Sequence, residues 1–164
     1  MTERTGYSGL QIALHWLVAA LILGAFFTKG RMEDALELRI ASGATGTEGN
    51  TAHVWMGGLA FVLVAVRIVV RLRSGAPGPV AGTSPMMALA VKWGHRLLYA
   101  LMVATPLTGA LTWYGGIDAL GDVHETVGQA LMIVILGHIL AAMLHEALRG
   151  DGTMNRMFSP QTRG

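Results

Sequence analysis

The segment VHETVGQALMIVILGHILAAMLHEAL, residues 123–148, is the most informative part of this sequence about its fold. It is almost entirely apolar, and it exceeds the roughly 20 residues that an α-helix needs to cross the hydrocarbon core of a membrane. His124 and His138 lie within it, fourteen positions apart. Fourteen helical residues rise about 21 Å and make nearly whole turns, so both imidazoles project from one helix face at two depths. Because an ionisable side chain is costly inside a membrane, this pattern indicates a function.

Three further apolar blocks precede this stretch, at residues 10–28, 52–70 and 86–113. Hydrophobic residues make up 52% of the chain and charged residues 13%, whereas a soluble domain carries about 25% charged residues. We therefore predict an all-α fold, an integral membrane four-helix bundle that forms a single domain over residues 1–164. The first block lacks a small-residue cleavage site, which favours a retained span over a removed signal.

The segments between the blocks are polar. Residues 29–50 contain a possible short helix at 32–40, residues 74–85 form a Gly/Pro/Ser loop, and residues 115–122 form a short turn. The chain has no cysteine. This excludes disulfides, thiolate metal sites, iron–sulfur clusters and the covalent attachment of a c-type haem.

The distribution of Lys and Arg predicts the orientation, because cytoplasmic segments of membrane proteins are enriched in both. One side carries nine basic residues: Arg4, Arg67, Arg71, Arg73, Lys92, Arg96, Arg149, Arg156 and Arg163. The other side carries only Lys29, Arg31 and Arg39, with seven acidic residues. We expect both termini in the cytoplasm and the protein in a bacterial inner membrane. The small net charge of +2 indicates no nucleic-acid partner.

Two further histidines match the two in the last span. His53 begins the second span at the depth of His124, and His15 in the first span matches the depth of His138. We name these the 53/124 pair and the 15/138 pair. Opposed imidazoles in an apolar surround are what a six-coordinate haem requires, so the pairs predict two haems and electron transfer. A single histidine can instead hydrogen-bond a neighbouring helix, and zinc needs about four converging ligands, which two depths do not provide.

Arg67 and Arg71 are candidate partners of the haem propionates. Arg67 follows His53 by fourteen positions and so shares its helix face at the depth of the 15/138 pair. A guanidinium suits a carboxylate well, although both residues also fit simple snorkelling to the membrane surface. Five glycines near the histidines either make room for a porphyrin or allow close helix contacts: Gly24, Gly57, Gly58, Gly128 and Gly137.

His95 and His145 lie near the predicted cytoplasmic ends of the third and fourth spans. A quinone site needs a hydrogen-bond donor that also passes protons, and histidine suits both tasks. Both are therefore candidates for a quinone site, with a plain interface histidine or a propionate contact as the alternatives.

The sequence resembles the bacterial cytochrome b561 family of four-helix di-haem membrane proteins over nearly its whole length. The resemblance is carried by LQIALHWLVA, HVWMGG, RIVVRLR, VKWGHRLLYALMVATPLTG and the quoted last span. It implies that His15 with His138, and His53 with His124, ligate two b haems. It also implies exchange of electrons with quinone, most specifically oxidation of periplasmic superoxide and reduction of ubiquinone.

Three functions follow as hypotheses. The first is a superoxide:ubiquinone oxidoreductase, although superoxide is an anion and the predicted outer side is acidic. The second is a membrane anchor that passes electrons between quinone and a separate dehydrogenase, hydrogenase or periplasmic redox partner. The third is a membrane protein without redox function, which would show no haem spectrum. The sequence does not specify the oligomeric state.

Overall fold

The computed structural model describes residues 6–80, 82–150 and 152–160. Its elements are α1 (Gly9–Phe27), α2 (Met32–Ser42), α3 (Ala52–Ser74), α4 (Pro85–Trp113), α5 (Leu120–Arg149) and a 3₁₀ turn at Asn155–Met157. The described residues contain helices and loops and no strand. The predicted all-α class is thus confirmed, and the possible short helix in the first polar segment is α2.

Three of the long helices begin at a side chain that caps the backbone. Ser8 and Gln11 form a reciprocal capping box at the start of α1. Thr51 Oγ1 accepts a hydrogen bond from the backbone N–H of Val54, which starts α3. Ser84 caps α4 just before Pro85. Such caps are worth about 1 kcal/mol each, and the cap at Thr51 places His53 in the first turn of its helix.

The four long helices pack against one another in chain order. Close packing in the described residues joins α1 to α3, α3 to α4 and α4 to α5. The bundle therefore consists of an α1–α3 hairpin and an α4–α5 hairpin, connected by the contact of α3 with α4. We call the end that carries α2 the α2 end, and the opposite end, with residues 75–84 and 152–160, the tail end.

Hydrogen bonds fix the tail end. Arg149 donates to the carbonyl of Gly82, and Arg156 donates to the carbonyl of Gly78. Trp16 Nε1 donates to the carbonyl of Met157, which ties the chain after α5 back to α1. The beginning of α1 and the end of α5 therefore lie at the same end of the bundle.

Large apolar side chains point away from the bundle rather than into it. Ile133 and Leu136 on α5, for example, are 71% and 58% exposed. A soluble protein does not expose so much contiguous apolar surface, so these side chains suit contact with lipid. By length and apolar composition, α1, α3 and α5 are able to cross a membrane. The longer α4 is not among these helices; it carries Lys92 and Arg96 in its first half and threonines in its second.

Candidate functional site

The 53/124 pair lies at the α2 end, with His53 in the first turn of α3 and His124 in the second turn of α5. Their ring centres are 5.8 Å apart, and the ring planes are nearly perpendicular. His53 Nδ1 lies 2.8 Å from the carbonyl of Ala25, and His124 Nδ1 lies 2.8 Å from the carbonyl of Thr105. A carbonyl only accepts, so each Nδ1 donates its proton and each Nε2 keeps a free lone pair. This is the usual arrangement of a metal-binding histidine.

The 15/138 pair lies nearer the tail end and joins α1 to α5. Its ring centres are 6.5 Å apart. Arg67 Nη2 lies 3.1 Å from Nδ1 of His15. Because a guanidinium only donates, Nδ1 accepts, and a neutral His15 then carries its proton on Nε2. His15 thus has the opposite tautomer to His53 and His124, and Arg67 is the cause.

The structure brings a third imidazole to the 15/138 pair. The ring centre of His95 on α4 lies 5.2 Å from that of His138. His95 Nδ1 is 2.8 Å from the carbonyl of Val91 one turn earlier, so its Nε2 is also free. The sequence places His95 near the predicted cytoplasmic end of the third span and does not predict this contact. His145 lies two turns beyond His138 and is half-buried.

Arg67 and Arg71 both contact Tyr99. Arg67 donates from Nε to the Tyr99 hydroxyl at 3.1 Å and from Nη1 to the carbonyl of Gln11 at 3.3 Å. With the bond to His15, all three of its nitrogens are engaged. Arg71 lies over the Tyr99 ring, 5.6 Å from its centre. Among the described residues, the Arg71 guanidinium forms no hydrogen bond or ion pair, so its donors remain available for an anion.

Both histidine pairs bridge helices that do not pack closely against each other. Neither α1 nor α3 packs closely against α5 in the described residues, yet both histidine pairs bridge that gap. Two imidazole nitrogens on opposite sides of one metal lie about 4 Å apart, since each bond is about 2 Å. Ring centres 5.8 and 6.5 Å apart accommodate that spacing. A Cβ at Gly57, one turn beyond His53, would meet nothing within 4 Å, so the space next to this residue is open.

These histidines do not form a site for a bare ion. Within residues 6–80, 82–150 and 152–160, no three His, Cys, Asp or Glu side chains converge as an ion would require. Pairs of imidazoles suit a metal that brings its remaining ligands with it, as the iron of a porphyrin does.

The glycines have different roles. A Cβ at Gly24 would lie 2.8 Å from Met56 Sδ, so this glycine permits close contact of α1 with α3. A Cβ at Gly128 would make an ordinary contact, and one at Gly58 or Gly137 would meet open space. The sequence did not single out Gly109, although a Cβ there would lie 2.8 Å from the His124 ring. No pattern in the sequence pointed to Gly109, because its role depends on how α4 packs against α5.

Arg39 on α2 is only 5% exposed and holds the α2 end together. It donates from Nε to the carbonyl of Trp113, and from its two terminal nitrogens to the carbonyls of Glu48 and Gly46, at 2.6–2.8 Å. Its guanidinium also lies over the Trp113 ring. Because every nitrogen is engaged and buried, Arg39 does not contribute to a basic surface patch for an anion.

Asn50 connects the loop after α2 to the end of α4. Its Oδ1 accepts from Trp113 Nε1 at 2.8 Å, and its Nδ2 donates to the Tyr114 hydroxyl at 2.7 Å. Asn50 directly precedes the cap of α3. The α2 end therefore holds the first turn of α3, and with it His53, in register with α4.

The chain is similar to known proteins over nearly its whole length. A family model for prokaryotic cytochrome b561 matches residues 6–160. The chain is 32% identical to cytochrome b562 of Cereibacter sphaeroides, over 98% of this chain and 100% of the relative. It is 31% identical to the probable superoxide oxidase CybB of Yersinia pestis, over 96% and 98%. It is 25% identical to cytochrome b561 homolog 2 of Escherichia coli strain K12, over 92% and 90%.

The family match covers the whole bundle, including all six histidines. Its members are membrane cytochromes that bind haem b and take part in electron transport. The outward apolar faces of α1, α3 and α5 suit the same environment. We conclude that this chain belongs to the prokaryotic cytochrome b561 family and is a multi-pass membrane protein of electron transfer.

Proposed function

We propose that the protein binds two b haems, one between His53 and His124 and one between His15 and His138. We further propose that it transfers electrons between a periplasmic donor and ubiquinone. The observation that carries this proposal is that two imidazole pairs link α5 to the α1–α3 hairpin at two levels. The bound iron supplies one-electron redox chemistry. Two imidazoles per iron leave no open position for oxygen, which favours electron transfer.

The protein's own residues orient these ligands. Ala25 and Thr105 accept the Nδ1 protons of His53 and His124, which fixes each ring and increases the basicity of Nε2. His15 presents Nε2 to iron only when its proton is on Nδ1, so Arg67 then has to donate to another acceptor. Haem propionates are carboxylates and accept strongly from guanidinium groups. We therefore propose Arg67 and Arg71 as propionate partners.

The proposed membrane arrangement has four spans, α1, α3, α4 and α5, with both termini in the cytoplasm of a bacterium. Packing of α4 against both α3 and α5 supports its assignment as a span. The tail end carries the larger number of basic residues, which favours a cytoplasmic location. Arg4 and Arg163, which also entered that prediction, lie outside the described residues.

Superoxide is the donor we propose, and ubiquinone the acceptor. Support comes from the relative named a probable superoxide oxidase. The tail end offers His95 and His145 as candidate quinone residues, since imidazole both hydrogen-bonds and passes protons. Replacing either one is expected to slow ubiquinone reduction while both haems stay bound.

Three measurements test the proposal. A reduced-minus-oxidised absorption spectrum and a haem assay on purified protein are expected to show b-type haem at a ratio near two per chain. Purified protein given superoxide is then expected to reduce ubiquinone. A protein without haem contradicts the cofactor assignment, and an intact di-haem protein that leaves ubiquinone oxidised contradicts the substrate assignment.

A second candidate function is a membrane anchor for a separate redox protein. The observation in its favour is the exposed acidic face of α2, formed by Glu33, Asp34 and Glu37. With Arg39 buried, this face repels an anion such as superoxide and attracts a basic partner. This alternative predicts weak turnover of superoxide by the purified chain and stable co-purification with a dehydrogenase, hydrogenase or periplasmic partner.

A further inference from the structure

The side of α4 that faces His124 carries no side chain where the imidazole approaches most closely. Gly109 lies one turn after Thr105, so both residues share that face of the helix. Thr105 provides the carbonyl that accepts from His124 Nδ1 at 2.8 Å. The ring therefore sits against bare backbone, with one hydrogen bond fixing its orientation.

A side chain at position 109 would collide with this ring. An added Cβ would lie 2.8 Å from His124 Cε1, 2.9 Å from Nδ1 and 3.4 Å from Nε2. Carbon atoms in contact normally stay about 3.5–4.0 Å apart. The imidazole is a rigid ring, so it has no flexible end that could rotate away from the new Cβ. The ring would have to move, and its hydrogen bond to Thr105 would lengthen or break.

Nothing in the backbone itself requires glycine at this position. Gly109 lies inside α4 and is not among the described glycines with positive φ. Glycine within a helix costs about 0.5–1 kcal/mol relative to alanine. Alanine would therefore stabilise α4 were it not for the imidazole, which points to a role for Gly109 in the site.

We propose that Gly109 is a positioning residue for His124, and that it holds Nε2 of this ligand in place to bind haem iron. This inference rests on the proposed binding of haem by the 53/124 pair. It extends that proposal to α4, because His124 on α5 keeps its geometry only when a glycine faces it from α4.

The test compares Gly109→Ala with Gly94→Ala in the full-length protein. Gly94 lies in the same helix, and a Cβ there would meet nothing within 4 Å. Gly109→Ala is expected to lower the haem-to-protein ratio from near two to near one and to abolish the spectrum of the 53/124 haem. The spectrum of the 15/138 haem should remain, which also shows that the variant has folded. Gly94→Ala is expected to keep both haems.

A second variant separates a positioning role from a merely structural one. In a His124→Ala background there is no imidazole for the new Cβ to meet. Adding Gly109→Ala there should cost no further haem and no thermal stability. The inference is overturned if Gly109→Ala lowers haem content or thermal stability equally in the natural protein and in the His124→Ala background. A Gly109→Ala protein with two unaltered haems would also overturn it. If His124→Ala by itself keeps both haems, the proposed ligand set is wrong instead.

Discussion

A hydrogen bond to Nδ1 determines which nitrogen of each imidazole is free to bind a metal. Backbone carbonyls hold His53, His95 and His124 with Nε2 free, whereas Arg67 holds His15 in the opposite tautomer. His15 in the 15/138 pair thus differs from both members of the 53/124 pair. Binding of haem at this level requires a change of partner for Arg67, and the 53/124 level requires none.

Replacement of single histidines tests the proposed pairing. His53→Ala or His124→Ala should remove one haem and leave the other, because the two levels share no ligand. His15→Ala or His138→Ala should remove the other haem. Haem content and the low-spin ferric EPR signals would distinguish the two. Loss of both haems from a single well-folded variant would contradict independent pairs, and retention of both in His15→Ala would identify His95 as a ligand.

Arg67→Gln tests the electrostatic role of this arginine. Removing a positive charge beside the 15/138 haem should favour the ferric state and lower its midpoint potential. A tenfold change in the reduction equilibrium corresponds to about 59 mV for one electron, and we expect a shift of roughly that size. The potential of the 53/124 haem should stay constant. Potentiometric titration checks this, with the exposed Arg73→Gln as control; equal shifts of both haems would contradict it.

The helices have two different roles. Three of the long helices, α1, α3 and α5, carry the histidine pairs, whereas the short α2 is not a span and holds the α2 end together through Arg39. The loop after α2 leads directly into the cap that starts α3. The contacts of α2 therefore help to fix the position of His53, although no α2 residue belongs to either histidine pair.

Arg39→Ala is expected to lower the free energy of unfolding by about 2–3 kcal/mol, because three carbonyls lose a charged donor. The 53/124 haem should be released first on heating, since the start of α3 loses its support. Thermal melts followed by haem absorbance check this. The exposed Arg31→Ala is the matched control. Simultaneous release of both haems at an unchanged temperature would show that Arg39 supports neither the α2 end nor His53.

For the whole molecule, the number of membrane crossings decides which partners each proposed haem would meet. Packing of α4 between α3 and α5 favours four spans, although α1, α3 and α5 are the helices that qualify by apolar composition. An even number of spans brings both ends of the chain to the same side of the membrane. It also separates the acidic α2 end from the basic tail end.

The natural chain has no cysteine, so single introduced thiols can report the topology. Thr47→Cys and Asp118→Cys lie in exposed loops at the α2 end, and Ala76→Cys lies in an exposed loop at the tail end. We expect a membrane-impermeant maleimide to label Thr47→Cys and Asp118→Cys from the periplasmic side, and Ala76→Cys only after the membrane is opened. If Asp118→Cys is labelled together with Ala76→Cys instead, α4 does not cross.

Periodicity accounts for what was predictable in the candidate site. The fourteen-residue interval between His124 and His138 follows from helix geometry alone, and so do their common face and two depths. The apolar blocks and the polar segments likewise predicted the long helices and α2. Each of these features depends on neighbours along the chain, which the sequence displays directly.

The class of protein, an apolar helical bundle with histidines at two levels, can be read from the sequence. The contacts between helices cannot, and the folded structure reveals them: His95 with His138, Arg67 with His15, Arg39 with the end of α4, and Gly109 with His124. They depend on the rotation and axial offset of each helix, which packing between elements sets. A shift of one residue changes a face by about 100° and a height by 1.5 Å, which is enough to bring such contacts together or to separate them.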